Sequence, residues 1–404
     1  MRIIKDGLLY LGGELLSRSI PFLLLPFLTR RLGVEGYGEM SYYQSLIALF
    51  VIILSFSQEG AIARYYYFYG KRSISLIVNT CYFYTLSCAI VFYVFSAILD
   101  SLILFIIISV SIFQSLFNTQ LVLRQCQKQA KQYMILQFIS ALTSGVLTLI
   151  LLNVFNEKLV ELRFLASLVS YILCVLLAYI IMCKQNKFKL LYSYGKHTIA
   201  LRYILAFGVP LIFHQFSGYM KGQFDRVLIY NNFPHHDLGV YSAAFQISSI
   251  LSVILMACNK ACVPYFYEAL KKRSVNFYTF KKIFICSLFV FFIPSIISYF
   301  LPEEMWLIII GSEYVGVKNF ITLFLMGIGL TLPYFILVNF LFYYGDNKYI
   351  TYCSVLSSIA YVILVYFLSM FDIKLVPYAL IISNALILPL LYIACAKRIK
   401  MENV

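Results

Sequence analysis

Two apolar stretches of this 404-residue chain carry charged side chains where apolar ones would be expected. One holds Glu14 and Arg18, and the other holds His214, Lys221, Asp225 and Arg226. Glu59 lies toward the end of a third, with Arg64 just beyond it. Residues four apart share a helix face. Glu14 with Arg18, and Lys221 with Asp225, therefore read either as local neutralising pairs or as polar groups presented to one common surface. The bases Arg18, Lys221, Arg226 and Arg64 exceed what two acids can neutralise. Arginine grips pyrophosphate through parallel N–H donors and lysine acts as a point charge, so this cationic set suits an anionic, phosphate-bearing ligand. Glu14, Asp225 and Glu59 are then candidates for carrying a coupling proton or sodium ion, or for structural neutralisation. Bond-making chemistry is not called for. The chain has no GxSxG, Walker or HExxH pattern, His235-His236 is flanked only by Asp237, and the ten cysteines are scattered with no CxxC. Neither a catalytic centre nor a metal site is expected, and no cofactor beyond a possible proton or sodium ion.

The elements that position these groups follow from composition. Apolar residues make up 62% of the chain and charged ones 12%, against roughly a quarter charged in a soluble domain. A globule of this size needs a charged exterior, which excludes a cytosolic enzyme, a disulfide-rich secreted domain and a disordered tail. The net charge of +15 does not imply nucleic-acid binding, because Lys and Arg sit in short clusters between apolar runs, as in a polytopic membrane protein. A span needs about 20 apolar residues. Twelve runs qualify: 8–28, 40–63, 76–99, 102–123, 133–155, 164–183, 203–230, 239–262, 283–301, 319–344, 349–371 and 375–396. None alternates as a β-barrel strand would. With the N-terminus placed inside, 23 of the 32 Lys and Arg fall in inside segments and 6 outside. That bias predicts both termini to be cytoplasmic. The first apolar stretch is not a cleavable signal, since Glu14 and Arg18 interrupt it.

The basic segment 184–202 divides the chain into an N-terminal six-helix lobe (1–183) and a C-terminal one (203–404), with 184–202 as a cytoplasmic linker. A shift of 201 residues superposes parts of the two halves. Gly38 falls on Gly239, Ser41 on Ser242, Glu59 on Lys260, and Lys71-Arg72-Ser73 on Lys272-Arg273-Ser274. An even number of helices per half makes the repeats parallel, as in some transporters. Lys221 then matches position 20 of the first span, near mid-depth as Arg18 is. Ionisable groups at such depth usually face a bundle interior or a wet cavity, so the first and seventh spans are expected to line a hydrated cavity between the lobes. Pro21, Pro26, Pro210, Gly327 and Pro333 are candidate flexing points for a lobe that opens to either side, although packing kinks would look the same. The 34 tyrosines and 36 phenylalanines read mainly as interfacial belts.

These residues resemble a known family. Leu8 to Leu46 (LLYLGGELLSRSIPFLLLPFLTRRLGVEGYGEMSYYQSL), EGAIARYYY at 59–67, and FDRVLIYNN followed by LGVYSAAFQIS within 224–248 are similar to Wzx-like polysaccharide-unit flippases of the multidrug/oligosaccharidyl-lipid/polysaccharide exporter superfamily. The pattern D-R … G-x-Y-x-x-A is the clearest carrier. The resemblance implies two six-helix lobes in the bacterial cytoplasmic membrane, a basic central cavity and alternating access. The implied cargo is an undecaprenyl-pyrophosphate-linked oligosaccharide for O-antigen or capsule. Arg18, Arg64, Asp225 and Arg226 occupy motif positions. Lys221 and Glu14 are added from depth and spacing alone. Implied partners are the lipid-linked oligosaccharide, membrane lipid, and a polysaccharide polymerase with its chain-length regulator, but no nucleic acid. Lipid II flippases carry two further spans, which argues against a peptidoglycan precursor as cargo. A cation-coupled multidrug exporter of the same superfamily is the alternative, and it would call for an acid-dominated cavity. A membrane-embedded polymerase or ligase would need a large outside loop, and the outside loops are short.

Overall fold

The computed structural model describes residues 12–13, 17, 19–186, 194–272 and 277–402. Glu14 and Arg18 lie outside these residues. Among the described residues the chain is helical, with no strand. In order the helices are α1 (Leu25–Ser55), α2 (Gln58–Phe68), α3 (Ile74–Ile98), α4 (Leu102–Cys126), α5 (Ala130–Val154), α6 (Leu159–Asn186), α7 (Tyr194–Gly222), α8 (Phe224–Asn232), α9 (His235–Lys271), α10 (Phe277–Val290), α11 (Ile293–Phe300), α12 (Glu303–Ile310), α13 (Val317–Gly329), α14 (Thr331–Tyr344), α15 (Asn347–Ser369) and α16 (Val376–Glu402). Among the described residues ten segments are long and apolar enough to cross a membrane, or eleven when a bent pair in α7 counts as one span. They match eleven of the twelve expected runs; in the twelfth, 8–28, residues 8–11, 14–16 and 18 lie outside the described ones. Large apolar side chains such as Ile90, Phe289 and Phe371 stand exposed, as a lipid-facing surface requires.

Several breaks are placed by identifiable residues. Gly33 (φ 67, ψ 179) interrupts α1 with a conformation that only glycine adopts freely. Pro26 sits in the first turn of α1, where its missing N–H costs nothing. Pro21 lies in a helical stretch just before a turn at Leu24. Helix α7 bends by 46° between Tyr194–Val209 and Leu211–Gly222, with Pro210 at the bend. Pro333 is the third residue of α14, directly after the Gly329–Leu330 joint. Gly327, by contrast, lies within α13 against the side chain of Leu380, and its carbonyl accepts a 2.9 Å hydrogen bond from Asn384 Nδ2.

The chain forms two compact units: residues 1–25 with 42–219, and residues 26–41 with 220–404. These boundaries differ from a division at 184–202, and packing gives the reason. Ala200 and Ile204 of α7 are buried with Ala61, Ile62, Ile77 and Cys81 in the core of the first unit, so that half of α7 belongs with helices that precede it. The first unit also buries an unusual set of polar side chains, including Gln58, Thr85, Thr119, Gln120 and Arg124. They are hydrogen-bonded to one another and to backbone carbonyls, as groups out of reach of water must be.

The second unit has its core around Phe280, Phe284, Leu337, Phe340 and Leu341. There α1 crosses α9 at two glycines. A Cβ on Gly38 would stand 2.5 Å from the His235 carbonyl oxygen and 2.8 Å from Gly239 N, and one on Gly239 would strike the Val34 carbonyl. Gly38 and Gly239 are the residues that the 201-residue shift pairs. Nearby, Tyr314 donates its hydroxyl to the carbonyls of Thr29 and Gly33, both at 3.2 Å, and Arg30 Nη2 donates to Ile308 O at 2.6 Å. Burial pushes the Tyr314 hydroxyl well above the ordinary tyrosine range.

A candidate anion-binding site and its supports

The seventh expected span is not one continuous helix. Helix α7 ends at Gly222, Gln223 takes a non-helical conformation (φ −142, ψ −22), and α8 starts at Phe224. This break changes the meaning of the charged residues around it. Lys221 and Asp225 are four apart, but the helical geometry that would align them is lost between them. Lys221 Nζ instead donates to Ser357 Oγ of α15 at 2.6 Å, and the Ser357 hydroxyl in turn donates to the Ser383 carbonyl at 2.8 Å. Among the described residues Lys221 has no carboxylate partner. An intrahelical Lys221–Asp225 pair is thereby excluded in this structure.

Asp225 is 1% exposed and surrounded by donors. The hydroxyls of Tyr241 and Tyr361 both reach it. The backbone N–H of Arg226 donates to Oδ1 at 3.0 Å, and the Arg226 guanidinium lies 3.5 Å away. Arg226 is 5% exposed. Its Nη1 donates to Gly222 O at 2.8 Å and to Gln223 Oε1 at 3.0 Å, and its guanidinium lies 4.5 Å from the centroid of the Phe245 ring. The sequence suggests Arg226 as a cation facing a hydrated cavity; here it is closed into an internal pair that fastens the α7–α8 break. A buried ion pair holds only when its remaining donors are satisfied, and the carbonyl exposed by the break supplies one acceptor. Tyr241 is the tyrosine of the G-x-Y-x-x-A pattern and Gly239 its glycine. The motif thus encodes the partner of Asp225 and the α1–α9 crossing. Tyr361 and Ser357, on α15, carried no signal in the sequence.

In the first unit, Glu59 is half-buried on α2 and hydrogen-bonds Asn118 of α4. Arg64, one turn further, is exposed. Its guanidinium lies 5.0 Å from the Phe207 ring and 5.9 Å from Phe68, a cation–π setting that holds the charge without neutralising it. Glu59 and Arg64 do not form an ion pair, and among the described residues Arg64 has no acid partner. Arg124, one residue past the expected run 102–123, is within α4 and 2% exposed. Its Nη1 donates to Gln120 O (3.1 Å) and Oε1 (2.6 Å), and its Nη2 to Ala178 O (2.6 Å). Of the seven candidate residues, the structure brings Asp225 and Arg226 together, holds Lys221, Glu59 and Arg64 each on other partners, and leaves Glu14 and Arg18 outside the described residues. Among the described residues there is no group of three His, Cys, Asp or Glu that could hold a metal ion.

Comparison with known proteins places this arrangement. Residues 3–270 match the family described as polysaccharide biosynthesis protein. A protein of the Lsg locus of Haemophilus influenzae is 46% identical over 397 residues, covering 98% of this chain and 99% of its own length. A membrane protein of that organism is 43% identical over 392 residues, covering 97% of this chain and 96% of its own length. Among solved structures, the lipid II flippase MurJ in an inward closed conformation superposes with a TM-score of 0.77 at 11% identity, covering 96% of this chain and 87% of its own. A transporter of the MOP superfamily from Pyrococcus furiosus gives 0.64 at 16% identity, covering 99% and 95%. At such identities these structures establish a shared fold. An all-helical membrane architecture, the motif residues clustered at Asp225 and at the glycine crossing, and a family match over most of the chain lead to one conclusion: this chain belongs to the polysaccharide biosynthesis protein family, with the fold of the MOP-superfamily transporters.

Proposed function

We propose that the protein is a flippase for an undecaprenyl-pyrophosphate-linked oligosaccharide repeat unit. It would carry that unit across the bacterial cytoplasmic membrane by alternating access, for O-antigen or capsule synthesis. The observation that carries this reading is Lys221. A lysine in a membrane helix costs a few kcal/mol, and here it is set beside a neutral serine with no carboxylate to offset it. A charge kept uncompensated at such cost suits an anionic ligand. Arg64, held over aromatic rings, is a second uncompensated base, and Arg18 a third base by motif position. The pyrophosphate is the part of the cargo these groups recognise, while the polyprenyl chain remains in lipid. No bond is made or broken, so no enzymatic step is needed. A proton or sodium ion is the proposed source of drive, and a polymerase with its chain-length regulator receives the flipped unit.

The shared fold with a lipid II flippase supports this reading, as does the family's link to polysaccharide. The alternative, export of cationic drugs, would need free acids. Asp225 is enclosed by two tyrosines and Arg226, and Glu59 is bonded to Asn118, so bases prevail. The test is Lys221→Gln, which keeps a donor for Ser357 but removes the charge. Cells carrying it are expected to make the protein at normal level, lose surface polysaccharide and accumulate lipid-linked units facing the cytoplasm. Normal surface polymer with this variant would overturn the reading, and loss of drug resistance with intact polymer would favour the exporter.

A further inference from the structure

In the second unit the ends of several helices meet around one chain of aromatic rings. Between ring centroids, Tyr267 of α9 lies 5.5 Å from Tyr343 of α14, and Tyr343 lies 5.0 Å from Tyr344. Tyr344 lies 4.8 Å from Phe340, and Phe340 lies 4.7 Å from Phe280 of α10. The Arg398 guanidinium of α16 sits 5.2 Å from the Tyr344 centroid. Its Nε reaches the carboxylate of Asp346, the residue before α15, at 3.7 Å. Ile350 of α15 is buried in the same core as Leu270 and Phe280. The rings therefore tie the C-terminal ends of α9 and α16 to the N-terminal ends of α10 and α15.

Each of these four ends carries lysine. Lys271 stands one turn beyond Tyr267, Lys281 and Lys282 directly follow Phe280, Lys348 is two residues past Asp346, and Lys397 precedes Arg398; all five are exposed. Two acids lie among them and both are taken: Glu268 pairs with Lys272 at 2.6 Å, and Asp346 with Arg398. Among the described residues the five lysines have no acid partner. Tyr265, Tyr278, Tyr349 and Tyr352 are exposed on the same helix ends. Exposed tyrosine is a mark of headgroup depth in a membrane protein. Tyr349 is next to Lys348, and Tyr278 is one turn before Lys281 and Lys282, so these lysines stand at that depth. Basic residues placed there attract anionic lipid. A lysine ammonium is a compact point charge, which meets a single phosphodiester without the forked geometry that arginine brings to pyrophosphate. The arginine described at this end, Arg398, is engaged by Asp346 and Tyr344.

We propose that this end of the second unit binds the phosphodiester headgroups of anionic phospholipid, which bridge the lysines of α9, α10, α15 and α16 and brace those helix ends against one another. The site uses none of the residues assigned to the cargo, and it does not rest on the cargo reading. Purified full-length protein in detergent is offered equal amounts of phosphatidylglycerol and phosphatidylcholine, and bound lipid is counted by native mass spectrometry. The salt is held at about 0.15 M, where attraction beyond about 8 Å is screened. Wild type is expected to retain phosphatidylglycerol preferentially and saturably, and to gain thermal stability from it. Lys281→Gln with Lys282→Gln changes exposed side chains only, so the protein should stay folded. It is expected to weaken phosphatidylglycerol retention roughly tenfold or more and to abolish the thermal gain, while Lys281→Arg with Lys282→Arg keeps both. Lys128→Gln with Lys131→Gln, which removes as much exposed positive charge from the first unit, should leave both unchanged. Equal retention of the two lipids would overturn the proposal. An equal loss in the Lys128/Lys131 variant would overturn it too, by showing attraction to net charge alone. So would a patch that takes farnesyl pyrophosphate but not phosphatidylglycerol, which would place these lysines on the cargo's path.

Discussion

At the scale of single residues, burial separates charges that support the structure from charges left for a ligand. Asp225 and Arg226 belong to the first kind. Removing one partner of a buried pair strands the other and costs about 3–5 kcal/mol. Asp225→Ala is therefore expected to lower the thermal midpoint of the purified protein sharply and to reduce its yield as a monodisperse species. Tyr361→Phe removes one donor to a carboxylate that keeps others, and should cost about 1–3 kcal/mol. Lys221→Gln is expected to behave oppositely, with stability near wild type and transport lost. If Lys221→Gln unfolds the protein as Asp225→Ala does, the division drawn between them is wrong. Arg124 joins the structural group, since its Nη groups are spent on Gln120 and the Ala178 carbonyl.

At the scale of elements, the spans were legible and their breaks were not. Apolar length alone located eleven of the runs that the described residues contain, because nothing but a helix satisfies a backbone in lipid. The α1–α2 break has no proline or glycine at Phe56 and Ser57 to announce it. The break at Gln223 has only Gly222 to announce it, too weak a signal inside an apolar run to separate Lys221 from Asp225. Asp225 and Tyr241 are sixteen residues apart, and only the recurring pattern tied them together, without saying that they touch. Arg124 stands one residue past the expected run 102–123, where a basic residue usually faces the cytoplasmic water, so nothing in the sequence announces its burial. Close packing gives the element-level predictions. A Cβ at Gly208 would strike the Phe56 carbonyl, so Gly208→Ala should cost about 1–3 kcal/mol by overpacking, seen as a lowered unfolding temperature. Tyr314→Phe loses the one hydroxyl proton shared between the Thr29 and Gly33 carbonyls, worth about 1 kcal/mol. Because burial raises the Tyr314 hydroxyl above its ordinary value, its contribution is complete through neutral pH. It should decline only as pH climbs past about 10, where an unfolded tyrosine ionises. A Tyr314→Phe variant should show the smaller alkaline loss of stability.

At the scale of the molecule, charge distribution predicts orientation. Reporter fusions ending in the α3–α4 and α5–α6 turns, near Asp100 and Asn156, should report the outside. Fusions near Lys128 and Asp346 should report the cytoplasm. An inverted pattern would also invert the proposed direction of transport. The meeting of Gly38 with Gly239 has a consequence of its own. Two helices touching at residues paired by the 201-residue shift meet as the two faces of a symmetric homodimer do. In a homodimer every mutation appears on both faces at once, so the faces can never become different. Within one chain each side can change alone, provided the point of contact keeps its bare backbone. Glu59 and Lys260, paired by the 201-residue shift, are what such freedom permits: acid in one half and base in the other.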